Sequence, residues 1–222
     1  QLLTTDNDKL GKSTVPSFGL SLASADTSDI WNVCRYSSAG CRSVCLATAG
    51  NGRYDTVTRA RQYRTALLGA HPALFIRVMA HEIRKLAAKH GEIRFRPNVL
   101  ADLPWELFAP ALFTLPNVKF YDYTKYPSHK RGRIDNYRLV GSVHEKHTDS
   151  QIWGMVNDYG SAAVVFSTLR GTPLPTSYLS VPVVDGDKSD DRTMASETGV
   201  IIGLRAKGQA IGATGNSFIR TA

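Results

Sequence analysis

Two rhythms of apolar residues alternate along the chain. Residues 18–22, Phe-Gly-Leu-Ser-Leu, place large and small side chains in turn after Pro16 and predict a first strand. The period then lengthens: Val57, Ala60, Arg64 and Leu67 fall near helical spacing within 55–68, with Gly69 as a stop. Pro72 opens a second helix, whose stripe is Phe75, Val78, Met79, Ile83 and Leu86 and which Gly91 ends. Short β-like runs follow at 92–96, 118–123, 137–143, 162–167, 178–184 and 200–204. Helical or turn-rich segments, including 105–112 and 149–159, separate most of them. That alternation predicts βα units and an α/β fold with about six or seven mostly parallel strands. Because no G-x-G-x-x-G turn is present, a compact or incomplete (β/α) barrel competes with an open doubly wound sheet. In both, chemistry belongs to loops leaving the carboxyl ends of the strands.

With 222 residues, 42% of them apolar, the chain can bury a core. It has no long polar spacer or internal repeat, so residues 1–222 are read as a single domain. The longest apolar stretches, 162–166 and 200–204, fall far short of the roughly 20 residues of a membrane span, and no membrane partner is expected. The first residues also lack the charged and apolar regions of a secretory signal. Lys and Arg total 27 against 19 Asp and Glu, a formal charge of +8. This surplus favours anionic partners but is modest for a dedicated nucleic-acid binder.

The three cysteines change the picture most. Cys34, Cys41 and Cys45 share one loop with spacing C-x6-C-x3-C, a poor arrangement for stapling a fold by disulfides and one that fits a reducing cytoplasm. Three thiolates on a compact loop suit a cuboidal iron-sulfur cluster, expected as 4Fe-4S, whose remaining iron stays open or takes another ligand. Arg35 and Arg42 lie in the same loop and would offset the cluster's negative charge. Zinc is the rival: its closed sites want four ligands, and a distant His81, His129, His144 or His147 would have to supply the last. The plainest alternative is three buried, reduced cysteines without metal, against which stands the polar character of the loop.

The cysteine loop, Asn98-Val99-Leu100-Ala101-Asp102-Leu103-Pro104-Trp105-Glu106, Phe120-Tyr121-Asp122-Tyr123-Thr124-Lys125, Asp185-Gly186-Asp187 and residues 199–208 together resemble the actinobacteriophage family called gene product eighty-eight. The resemblance runs nearly end to end and implies a phage protein acting in the host cytoplasm. More distantly, a three-cysteine loop after a first strand resembles the radical S-adenosylmethionine enzymes, which carry a 4Fe-4S cluster on a partial (β/α) barrel. Their usual spacing is C-x3-C-x2-C, and this chain has no Gly-Gly-Glu segment; both departures put adenosylmethionine binding in doubt.

Other residues are candidates for the pocket or the cluster's neighbourhood. Arg94 and Arg96 alternate onto one face near Asn98 and Asp102 and need anions, either a ligand or an interior salt bridge to Asp102 or Asp122. Tyr121, Tyr123 and Lys125 alternate at a strand end. A desolvated Lys125 is a candidate base or Schiff-base nucleophile, with a structural role as the alternative. Asp185 and Asp187, with Asp190 and Asp191, offer oxygen ligands for a cation, but Asp-Gly-Asp also makes a turn for local reasons. Two functional readings follow. One is a redox or radical-type enzyme acting on a small anionic substrate at an open iron. The other is a non-enzymatic iron-sulfur regulator or redox sensor whose basic helices, with Arg53, Arg59, Arg61, Arg64, Arg77, Arg84, Lys85 and Lys89, contact host nucleic acid or a host transcription protein.

Overall fold

Strands β1 (Ser17–Gly19), β2 (Ile93–Arg96), β3 (Val118–Thr124), β4 (Tyr137–Ser142), β5 (Ser161–Phe166), β6 (Ser177–Tyr178), β7 (Val181–Asp185) and β8 (Val200–Arg205) pair into one sheet in the order β1-β2-β3-β4-β5-β8-β7-β6. The computed structural model describes residues 1–4, 10, 13–25, 27–193, 197–213 and 215–221. All neighbouring strands run parallel except β6 and β7. The sheet is flanked by helices and stays open between β1 and β6, so the fold is an incomplete α/β barrel and not a doubly wound sheet.

The register assigns each face. Phe95 pairs with Phe120, and Ile93 with Val118, on the face that packs against α3 (Pro72–His90) through Phe75, Met79 and Ile83. The opposite face carries Arg94, Arg96, Tyr121, Tyr123, Val140, Ala163, Ile202 and Val184, which the alternation of side chains along paired strands brings together. Val140, Ala163 and Ile202 are fully buried there, with Tyr123 and Leu204 against them. Helix α5 (Asp149–Tyr159) starts at a Thr148–Gln151 capping box and buries Ile152, Met155 and Val156. Helix α3 has Pro72 in its first turn and stops at Gly91, whose φ of 79° disfavours other residues.

Three sequence expectations are corrected. The run at 178–184 is not one strand but a hairpin of β6 and β7, which raises the count to eight. Its turn puts Leu179 and Ser180 at φ of 52° and 63°, the geometry that favours Asn-Gly, so no residue signalled it. The helical or turn-rich segment expected at 105–112 is present as the short helix α4 (Trp105–Phe108) and then a 3-10 turn (Pro110–Thr114), because Pro110 cannot continue the helical ladder. Helix α2 (Asp55–Ala70) buries Thr65 and Leu68 most deeply, not the stripe through Val57, Ala60, Arg64 and Leu67. Thr65 is inward because its hydroxyl accepts from the Ala23 N–H at 2.9 Å and donates to the Arg61 carbonyl at 2.9 Å. In α3, Val78 is exposed, and Ala87 rather than Leu86 completes the buried row.

Candidate metal centre

The carboxyl ends of β1 to β5 and β8 open onto one cavity of about 270 Å³. The segment after β1 brings Cys34, Cys41 and Cys45 to its wall. Asn98, Leu100 and Asp102 line it after β2, Lys125 after β3, Ser142 at the end of β4, Ala163 and Val165 from β5, and Arg205 and Lys207 from the end of β8. Chemistry was expected at this end of the sheet.

Local hydrogen bonds set each cysteine. Asn32 accepts from the Cys34 N–H at 2.7 Å, and the Cys34 thiol donates to the Leu100 carbonyl at 3.4 Å. Burial, reinforced by Asp102, pushes the Cys34 thiol up to about 12. It therefore stays protonated as a free thiol and releases its proton to solvent only where a metal takes the sulfur. Cys41 lies on the short helix α1 (Ala39–Ser43), and its N–H donates to Ser38 Oγ at 3.1 Å. Glu145, just past β4, clamps this helix: it accepts from Ser38 Oγ at 2.6 Å and from the Gly40 N–H at 2.9 Å. A Cβ at position 40 would lie 2.7 Å from Asn216 Oδ1 and 2.8 Å from Glu145 Oε2, so a larger residue there would push these two side chains back. The Cys45 N–H donates to the Arg42 carbonyl at 3.2 Å. All three cysteines are free of disulfides.

Lys125 shares the inner face with Tyr123, and its Nζ donates to Ser142 Oγ at 3.0 Å across the adjacent strand. Its backbone N–H donates to Asp102 Oδ2 at 2.7 Å. Burial opposes the charge of Lys125, but Cys41, Asp102 and Cys34 outweigh it and hold the amine above its ordinary value. Lys125 is thus held as an ammonium beside the thiols.

The remaining expected residues have partners within the protein. Arg94 Nε donates to Asp191 at 3.0 Å and Arg96 Nη1 to Asp190 at 3.2 Å, while Arg96 Nε lies 3.5 Å from Asp122. The anions these arginines meet are the chain's own carboxylates, with Asp122 and not Asp102 as the partner of Arg96. Tyr121 donates to Asp190 at 3.0 Å, and Arg96 lies over the Tyr123 ring at 4.8 Å. Burial, against the pull of Arg96, pushes the Asp122 carboxyl up to about 7. Asn98 binds Leu103, Trp105 and Asp122, shaping the loop after β2. Asp102 pairs with Arg131 at 3.3 Å. Asp185 accepts from the Asp187 N–H at 3.0 Å in a local turn, and both carboxylates pair with Arg205, Asp187 also with Lys207.

Several residues at the site escaped the sequence reading, including Ser38, Glu145, Ser142 and the buried pair Glu106–Arg131. Their partners lie up to 107 positions away, so no local pattern marks them. The histidines do not reach the cavity wall. His81 and His129 are exposed. His144 and His147 stack at 3.6 Å, and each Nδ1 accepts a backbone N–H, from Lys146 and His144 respectively. Among the described residues, no three His, Cys, Asp or Glu side chains are grouped to hold one metal ion.

A model of the family described as Gene product 88 matches residues 1–220. The chain belongs to that family. Comparison with curated proteins and with solved structures gives no match. Gene product 88 is a family of phage proteins, and in this member the cavity sits on an open α/β barrel. None of its described helices is long and apolar enough to cross a membrane.

Proposed function

We propose that this Gene product 88 protein binds an iron-sulfur cluster, 4Fe-4S, through Cys34, Cys41 and Cys45, and acts in the host cytoplasm as a redox or radical-type enzyme on a small anionic substrate. The observation that carries the reading is that all three thiols line one cavity at the carboxyl ends of the parallel strands. Three thiolates on one wall are the donor set of a cuboidal cluster, whereas a closed zinc site wants a fourth ligand. When bound, the cluster would supply one-electron chemistry and an iron without a cysteine ligand. The chain's own part is to hold and shield. Arg42 and Lys125 add positive charge to the wall and favour an anion. Leu100, Ala163, Val165 and Leu204 form its apolar side.

The test is anaerobic purification with iron and acid-labile sulfide analysis and electron paramagnetic resonance. Iron and sulfide in comparable amounts, lost together with the chromophore in Cys41→Ser, support the proposal. Stoichiometric zinc without sulfide, or a Cys41→Ser protein that stays brown, overturns it.

A second reading, an iron-sulfur regulator or sensor, rests on the exposed Arg53, Arg59, Arg77, Arg84, Lys85 and Lys89 of the segment that runs into α2 and α3. Nucleic-acid binding that weakens steeply with salt favours it. Reductive cleavage of adenosylmethionine by the anaerobic protein favours the enzyme.

A further inference from the structure

We infer that Lys125 tunes the bound centre, its ammonium donating to the Cys41 sulfur and raising the reduction potential. This rests on the cluster reading above. Lys125 lines the cavity together with Cys34, Cys41 and Cys45, and three constraints fix it there. Its backbone N–H is tied to Asp102 at 2.7 Å, its Nζ donates to Ser142 Oγ at 3.0 Å, and the Phe218 ring stands 5.8 Å away. Arg96, Arg205 and Lys207 reach the same wall, but each is engaged by carboxylates, Asp190 and Asp122 for the first and Asp185 or Asp187 for the others. The nearby carboxylate of Asp102 is itself matched by Arg131.

A centre that takes up one electron gains one negative charge, with no bond made or broken. A fixed positive charge beside it in a low-dielectric cavity stabilises the reduced form more than the oxidised form. Hydrogen bonds to ligand sulfurs act in the same direction, as they do in iron-sulfur proteins generally. Ser142 cannot replace this effect, since its hydroxyl brings no net charge.

The experiment is a dye-mediated titration of the anaerobic holoprotein, with dithionite as electron donor and paramagnetic resonance as the readout. Wild type is compared with Lys125→Arg and Lys125→Met, with iron and sulfide measured in each. The expected order of midpoint potentials is wild type highest, Lys125→Arg lower because its charge is spread over a guanidinium, and Lys125→Met lowest. A loaded Lys125→Met protein with the wild-type potential overturns the inference while leaving the cluster reading intact. If Lys125→Met takes up no iron, the comparison of wild type with Lys125→Arg decides: a lower potential supports the inference and an equal one overturns it. Absence of iron and sulfide from wild type itself overturns the cluster reading, and this inference with it.

Discussion

Glu106 and Arg131 show what a single buried residue contributes here. The Arg131 guanidinium donates to Glu106 through Nε at 2.6 Å and Nη2 at 2.9 Å, and both side chains are about 1% exposed. Glu106 also accepts the Gly132 N–H at 3.1 Å, and Arg131 reaches Thr124 at 2.6 Å and Asp102 at 3.3 Å. Such a pair adds little net stability over an apolar packing, but removing one partner strands a buried charge. Glu106→Ala is therefore expected to destabilise the fold by about 3–5 kcal/mol, and Glu106→Gln by less, because the amide oxygen still accepts one hydrogen bond. Urea unfolding of the two variants checks this; an Ala variant within error of wild type removes the argument. The loss reaches the site, since Arg131 steadies Asp102, which in turn holds the Lys125 backbone.

At the scale of elements, five residues of α1 are too few to be helical on their own, so the cysteine segment depends on what grips it. Glu145 takes its N-terminal end. Asn216 takes the rest, donating to the Gly40 carbonyl and to Ser43 Oγ, both at 3.1 Å. Burial opposes the charge of Glu145, but hydrogen bonds from Ser38 and Gly40 outweigh it and hold its carboxyl below the usual range. Glu145→Ala is expected to speed amide exchange across residues 38–45 and alkylation of Cys41, with the core strands as protected as in wild type. Exchange mass spectrometry reads both regions, and unchanged exchange at 38–45 refutes the clamp. The cysteine segment was legible in the sequence because its three cysteines are local, as was α3 with its proline and glycine signals. Glu145 was not legible, for it meets Gly40 across 105 positions. Nor was the inward face of α2, whose most buried position is a threonine, or the β6–β7 turn, whose Leu179–Ser180 pair lacks the usual glycine. Period and punctuation thus reported the elements, while the partners that fix the site depend on the register between distant strands.

At the scale of the whole molecule, the segment from His144 to His147 ties β4 to the cysteine helix through Glu145. It also meets the C-terminal strand neighbour of β5, where Arg220 Nη2 donates to the His144 carbonyl at 3.2 Å. Burial, then His144, Lys125 and Arg220, lower the His147 imidazole to about 4, and Glu145 only partly opposes them. His144 is lowered too, by burial and Lys125 first. Protonation would also cost the hydrogen bond His147 Nδ1 accepts from the His144 N–H. A histidine whose folded value lies below its unfolded 6.5 binds more protons when unfolded, so its contribution is whole above about 6.5 and is lost as pH falls toward about 4. Asp122, raised to about 7 by burial, acts with the opposite sign over an overlapping range, so the net slope of wild type alone does not isolate either group. The comparison that does is His147→Asn, whose side-chain oxygen keeps an acceptor near Nδ1 but does not titrate. Urea unfolding at pH 7.5, 6 and 5 is expected to show the variant gaining stability relative to wild type as pH falls, with Asp122 cancelling in the difference. Parallel profiles would mean that the turn bearing Glu145 is insensitive to the histidine beside it. A widening gap would mean that acid loosens the cysteine segment from the same turn that anchors it.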